Sequence, residues 1–185
     1  MQPVLVVGNV LVDEVKLITY SGILSNDSIS VGIFCFNSTE QAAFQNIFVT
    51  SSKPKSFVAM QFSEPYNEVY RDAIAPLVEE IGFEPLCIDD IRGPGIIIND
   101  ILSSLEDASI VIVEISERNA NVYYELGIAH ALNKPTILLV SKGTSLPFDV
   151  GPHRCIFYEN TIPGRARLQE ALKKALSTIL KREVA

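Results

Sequence analysis

The sequence predicts an α/β fold, with a parallel sheet and helices on both of its faces, preceded by a small β-rich N-terminal unit. From residue 55 onward, apolar segments of strand length alternate with segments of helical periodicity. This alternation is typical of parallel strands joined by right-handed helical crossovers. Residues 1–54 are instead rich in β-branched residues and turn formers. We therefore divide the chain into a β-rich unit, residues 1–54, and an α/β domain, residues 55–185.

The N-terminal unit is predicted to begin with a hairpin. Two β-branched segments, residues 4–7 and 10–19, flank Gly8-Asn9, a pair that favours a two-residue hairpin turn. A strand at 29–36, a short helix at 41–48 behind a capping-box pattern, and a linker at 51–55 are predicted to follow. No pattern in this unit points to a reactive site.

The elements of the α/β domain follow from hydrophobic periodicity. Predicted strands cover residues 57–60, 83–88, 110–115, 136–140 and 155–158. Predicted helices cover residues 66–81, 97–105 and 121–132, and a closing amphipathic helix presents Leu168, Leu172 and Ile179 on one face. Parallel sheets bind ligands outside the carboxyl ends of their strands. The loops at 61–65, 89–95, 116–120 and 141–148 are therefore the candidate binding loops.

The composition excludes several classes of partner. The chain has 15 basic and 22 acidic residues, a net charge of −7. Because no basic stripe is present, we expect no nucleic-acid polymer as a partner. No apolar segment has the length of a membrane span, so we expect no membrane partner either. Cys35, Cys87 and Cys155 lack metal-ligand spacing and indicate reduced thiols in a cytoplasmic protein without metal or cofactor.

Glu125 is the most informative single residue. It shares a helical face with Val122, Ile128, Ala129 and Leu132, the residues expected to face the sheet. Burying a carboxylate is costly, and the positive end of the helix dipole offsets part of that cost. A carboxylate held still at the rim of a pocket suits a nucleophile. The alternative is that Glu125 accepts backbone hydrogen bonds near the helix start and only stabilises the fold; the local pattern favours the two equally.

Polar residues in two of the candidate loops could bind a substrate. Asn119 and Asn121 flank the start of the Glu125 helix, where one of them is predicted to be the N-cap, and a helix N-terminus also receives phosphate. Asp89 and Asp90 follow the second strand of the domain, where an acidic residue can bind ribose hydroxyls or simply form a turn. Gly95 would allow the backbone to approach a phosphate.

The segment 121–135, Asn-Val-Tyr-Tyr-Glu-Leu-Gly-Ile-Ala-His-Ala-Leu-Asn-Lys-Pro, resembles a known family. It is similar to the nucleoside 2-deoxyribosyltransferases and the related 2′-deoxynucleoside 5′-monophosphate N-hydrolases, which share a Tyr/Met-Glu-Leu-Gly helix followed by a strand. Bacterial TIR-like nucleotide-binding domains are also similar, through Phe57-Val-Ala-Met60 and Asn119-x-Asn121-Val-Tyr-Tyr-Glu125. The resemblance covers residues 56–181 and implies a flavodoxin-like (Rossmann-like) fold. It also implies a homo-oligomer, because these relatives often complete their pockets across a dimer interface.

The resemblance implies roles for individual residues. Glu125 matches the catalytic glutamate, which attacks or stabilises the anomeric carbon of the sugar. Tyr124 would line the sugar pocket, and Asn119 stands where the hydrolases have a phosphate-binding serine. After the first strand of the domain, a glycine-containing loop of those enzymes is replaced here by substrate-binding candidates: Met60, Gln61 and Phe62.

The second carboxyl group of those hydrolases has no direct counterpart. It is an aspartate that assists departure of the base, and this chain has Ile101 at that position. Asp100 is adjacent but points roughly 100° round the helix. Asp100 and Asp90 are therefore the candidates for this catalytic role.

The residues and the resemblance together predict cleavage or transfer at the N-glycosidic bond of a small nucleoside or nucleotide. NAD is included, because TIR-like relatives cleave its nicotinamide–ribose bond. The alternative is a non-catalytic nucleotide sensor of the same fold, with residues 1–54 as a partner surface. Free base or nicotinamide would indicate an enzyme, whereas binding without turnover would indicate a sensor.

Overall fold

The computed structural model describes residues 4–12, 15–24, 51–87, 97–146, 150 and 155–183. The predicted strand at 29–36 and helix at 41–48 lie outside these residues. So do three candidate site residues, Asp89, Asp90 and Gly95.

The N-terminal residues form a three-stranded antiparallel sheet of order β2-β1-β3, made by β1 (Val4–Val12), β2 (Val15–Leu24) and β3 (Ser51–Ser52). The hairpin turn predicted at Gly8-Asn9 is wrong, because both residues lie inside β1, where Gly8 is opposite Tyr20. Pairing with β2 continues through both residues, with a register shift only after Val10, and it adds cross-strand contacts that a turn at this point would remove. The linker predicted at 51–55 is also corrected, since Ser51–Ser52 pairs with β1.

The second sheet has five strands, all parallel, in the order β5-β4-β6-β7-β8. Its strands are β4 (Lys55–Ala59), β5 (Glu84–Cys87), β6 (Ala108–Glu114), β7 (Thr136–Ser141) and β8 (Cys155–Tyr158). The predicted parallel sheet is confirmed, with small shifts at the strand ends. From β4 the chain moves outward to β5 and then returns past β4 to β6. The topological switch point, where ligands bind in this architecture, is therefore between β4 and β6.

Helices cover both faces of this sheet, as predicted. One face carries a continuous helix made of α1 (Tyr66–Val69), a π-helical segment (Tyr70–Ile74) and α2 (Ala75–Glu80), together with α5 (Ile162–Glu183). The other face carries α3 (Ile97–Asp107) and α4 (Ala120–Ala131). Alternate β4 residues serve the two cores, Val58 on the first face and Phe57 and Ala59 on the second. None of the helices described is long and apolar enough to cross a membrane.

The π-helical segment explains how Pro76 fits inside a helix. Proline has no N–H, so the carbonyl of Asp72, four residues earlier, has no α-helical donor. Gln169 of α5 supplies one, because its Nε2 donates to the carbonyls of Asp72 and Ala73 at 3.4 and 3.3 Å. Arg165 of α5 also pairs with Asp72 at 2.6 Å. The α5 helix therefore holds the wide turn in place.

Candidate functional site

Two of the predicted loops meet at the switch point. The loop after β4 contains Gln61 and the loop after β6 contains Asn119. The Nδ2 of Asn119 donates to the Oε1 of Gln61 at 2.5 Å. A second link joins the start of α1 to the loop after β6, because the Tyr66 hydroxyl donates to Glu117 at 3.4 Å. Two residues predicted separately to bind substrate are therefore in direct contact.

Asn119 is the N-cap of α4. It has extended backbone angles, φ −100° and ψ 118°, and its side chain accepts a hydrogen bond from the backbone N–H of Asn121 at 2.9 Å. The predicted capping role is confirmed for Asn119, whereas Asn121 is an exposed first-turn residue. Asn119 therefore fixes the start of the helix that carries Glu125 and also reaches the loop after β4.

Replacing Asn119 with alanine is expected to lower the free energy of unfolding by about 1 kcal/mol, because α4 loses its cap. Asn119→Asp should keep most of the stability, since a carboxylate oxygen can accept the same hydrogen bond. Asn121→Ala is the matched control, because its side chain is exposed and does not cap the helix. Urea denaturation checks this, and equal losses for Asn119→Ala and Asn121→Ala would contradict it.

Glu125 is buried in the second turn of α4, where its side chain is 5% exposed. Val122, Leu126 and Ala129 are the other buried residues of this helix. Leu132, predicted to share the face, is 37% exposed because α4 ends at Ala131 and Leu132 is the C-cap. Leu126 instead completes the buried stripe, four residues after Val122.

The environment of Glu125 favours the protonated acid. Burial removes water from the carboxylate and raises the pKa of Glu125 to about 7. Within the described parts of the chain, no group donates a hydrogen bond to this carboxyl, so those parts supply none of the backbone hydrogen bonds of the purely stabilising alternative. A carboxyl group with a pKa near neutrality has both its forms populated at neutral pH. It can therefore act as a carboxylate or as a proton donor.

A second buried carboxylate was not singled out from the sequence. Glu114, the last residue of β6, is 2% exposed. It accepts hydrogen bonds from the Ser116 hydroxyl, from the Ser116 backbone N–H at 3.3 Å and from the Tyr158 hydroxyl at 3.0 Å. The Ser116 oxygen in turn accepts from the Ser141 backbone N–H at 2.6 Å. We call Glu114, Ser116, Ser141 and Tyr158 the Glu114 network.

Burial dominates the electrostatics of the Glu114 network. Desolvation raises the pKa of Glu114, against the smaller lowering effect of the hydrogen bonds from Ser116 and Tyr158. Desolvation and then the Glu114 charge raise the pKa of the Tyr158 phenol. The pKa of Tyr66 rises to about 12, first through burial and then through the charges of Glu114 and Glu117. The signal in the sequence was a charged residue inside an otherwise apolar strand, at the end where ligands bind.

The other predicted site residues within the described parts of the chain differ in their exposure. Met60 is buried, at 4% exposure, whereas Phe62 and Tyr124 are 37% and 52% exposed. Asp100 is half-buried in the first turn of α3, and Ile101 packs against the core on the α3 and α4 face. Within the described residues, no group of three or more His, Cys, Asp or Glu is arranged to hold a metal ion.

Comparisons with known proteins establish the fold. No protein-family model matches the sequence, and no curated protein matches it. The structure is similar to a CMP N-glycosidase from Clostridium botulinum, with 18% identity, a TM-score of 0.51 and coverage of 64% of this chain and 96% of that one. It is also similar to the TIR domain of a Toll-related receptor from Hydra magnipapillata, with 12% identity, a TM-score of 0.52 and coverage of 65% and 96%.

A third similar structure is a 2-deoxyribosyltransferase from Bacillus psychrosaccharolyticus, with 15% identity, a TM-score of 0.48 and coverage of 62% and 90%. Likeness at these identities concerns the fold. The parallel order β5-β4-β6-β7-β8 with helices on both faces is the flavodoxin-like α/β architecture, as predicted.

Proposed function

We propose that the protein cleaves or transfers the N-glycosidic bond of a small nucleoside or nucleotide, with Glu125 acting on the anomeric carbon of the sugar. The observation that carries this proposal is the burial of Glu125 beside the switch point, with its pKa raised to about 7. The fold likeness to a CMP N-glycosidase supports it. We further propose a cytoplasmic homo-oligomer.

Glu125 has a defined task in this reaction. The bond between C1′ and the base nitrogen breaks, and its electron pair leaves with the base. Positive charge then develops on C1′ and the ring oxygen, and a buried carboxylate stabilises it strongly because little water screens the interaction. Glu125 acts either through this attraction or by forming an ester bond to C1′. Water or a second base then attacks C1′ and releases the carboxylate.

The other candidate residues bind the substrate or protonate the base. Phe62 and Tyr124 present exposed aromatic rings on which a base can stack. The amides of Gln61, Asn119 and Asn121 are suited to sugar and phosphate oxygens.

The candidates in the loop at 89–95 also contact the substrate in this proposal. Asp89 binds the ribose hydroxyls, and the backbone at Gly95 approaches the phosphate. Asp90 and Asp100 are the candidates for protonating the leaving base.

One observation favours a second function, a non-catalytic nucleotide-binding module. By the resemblance, the α3 residue that corresponds to the acid of the hydrolases is Ile101, which is partly buried and packs against the core. A site that binds a nucleotide without an acid aimed at the base would act as a sensor. The TIR domain with a similar fold belongs to a receptor.

A turnover screen by chromatography separates the two functions. Wild type and Glu125→Gln are incubated with deoxynucleosides, ribonucleosides, their 5′-monophosphates and NAD. We expect free base or nicotinamide from one class, and only with wild type. No product from any class, together with thermal stabilisation by one of them, would replace the proposed enzyme with the binding module.

A further inference from the structure

Glu114 is a buried carboxylate that the reaction above does not use. Its neighbours on the same face of β6, Ile110 and Ile112, are apolar core residues. An apolar residue at position 114 would continue that pattern and avoid the free-energy cost of burying a carboxyl group. Instead three hydrogen bonds from Ser116 and Tyr158 satisfy the carboxylate. Position 114 therefore has a hydrogen-bonded carboxylate where an apolar side chain would pack in the core.

The connection joins three strands at the edge of the sheet where we propose that the substrate binds. Glu114, Ser141 and Tyr158 are the last residues of β6, β7 and β8. Ser116 is the central member of the network, because its hydroxyl donates to Glu114 and its oxygen accepts from Ser141. The network therefore ties the first residues of the β6–α4 loop to two neighbouring strands.

The loop in turn positions Glu125. It runs from residue 115 to Asn119, which caps α4 and contacts Gln61 across the switch point. A fully satisfied buried network makes one loop conformation more stable than its alternatives. Residue positions at a reacting centre must be held closely, since a displacement of about 1 Å can cost about 100-fold in rate.

We propose that Glu114 is a positioning residue for this site. Through Ser116 it fixes the β6–α4 loop to the ends of β7 and β8, and so places Glu125 against the sugar. The inference rests on the proposed function, because the position of Glu125 affects activity only if Glu125 acts on the sugar. Glu114 itself touches neither substrate nor reacting atoms in this arrangement.

The test compares Glu114→Gln and Ser116→Ala with wild type on the substrate found by the screen. Glu170→Gln, which removes a carboxylate from an exposed position on α5, is the matched control. We expect Glu114→Gln and Ser116→Ala to lower kcat by about 10- to 100-fold and to change KM by less than about threefold, because the loop is displaced and not the binding groups. Wild-type kcat in both variants would overturn the proposal.

Tyr158→Phe removes a single hydrogen bond from the network and serves if Glu114→Gln fails to fold. It should lower kcat by a smaller factor, about two- to fivefold, and combining it with Ser116→Ala should give a non-additive loss. Fully additive effects of the two variants would indicate unrelated structural damage and would also overturn the proposal.

Hydrogen exchange separates a failure of this inference from a failure of the proposed function. The backbone amides of residues 116–121 should exchange faster in Glu114→Gln and Ser116→Ala than in wild type and Glu170→Gln. If wild type turns over no substrate, the proposed function fails, while faster exchange would still show that Glu114 fixes the loop. Unchanged exchange in these amides would overturn the positioning role whatever the activity.

Discussion

Replacing Glu125 with glutamine is expected to lower kcat by about 1000-fold, equivalent to about 4 kcal/mol of transition-state stabilisation. Glutamine has nearly the same shape as glutamate but no negative charge. It therefore neither stabilises positive charge on the sugar nor forms a stable ester with C1′. Substrate binding should change little, since an amide fills the same buried position. Steady-state kinetics on the substrate class found by the screen give the result, with Glu170→Gln as the control.

The pH dependence of kcat shows whether Glu125 acts as a carboxylate or as a proton donor. With a pKa of about 7, the carboxylate is the minor form at lower pH. If the carboxylate is the active form, kcat should fall about tenfold for each pH unit below that value and reach a plateau above it. The opposite slope would assign Glu125 as the proton donor to the base. Full turnover by Glu125→Gln would remove it from the mechanism altogether.

The same substitution is expected to stabilise the protein at alkaline pH. The pKa of Glu125 is raised from 4.5 to about 7 in the fold, so the native state binds the proton more tightly than the unfolded chain. Native stability is therefore lost as pH rises between those two values, and the loss is complete above the higher one. At about pH 8, the free energy of unfolding of Glu125→Gln should exceed that of wild type by about 3 kcal/mol.

Below about pH 4.5 this difference should disappear, because wild type then carries a neutral acid in both states. Urea denaturation at several pH values measures it, with Glu170→Gln, at an exposed position on α5, as the control. An equal stability of Glu125→Gln and wild type at about pH 8 would mean that the carboxylate is solvated in the native state. The group that supplies reactivity would then cost the fold nothing, contrary to the usual opposition between stability and activity at such sites.

The sheet could be predicted from the sequence because each of its elements has its own periodicity. The strand at residues 155–158 matches β8, and the helix at 121–132 differs from α4 by one residue at each end. Periodicity also identified Glu125 on the buried face of α4. It failed at Leu132, since a repeating pattern does not show where a helix ends.

The failures at Gly8-Asn9 and Glu114 have different physical causes. A Gly-Asn pair permits a tight turn but does not require one when the residues on both sides pair as strands. The partners of Glu114 are Ser116, in the following loop, and Tyr158 of β8, and Ser116 is in turn bonded to Ser141 of β7. A sequence shows the charge of such a residue but not the hydrogen bonds that distant segments supply to it.

The strand order also has a consequence for how the chain folds. β4 lies between β5 and β6, and Lys55 pairs with Ala108 of β6 as well as with Glu84 of β5. During synthesis from the N-terminus, β4 can pair with β5 first, and one of its edges stays open until β6 emerges. Because contacts between distant segments form slowly, an intermediate with that edge open is prone to pair with other chains. The switch point between β4 and β6 is thus completed late in folding, and substitutions that weaken β6 should lower the yield of folded protein before they change its chemistry.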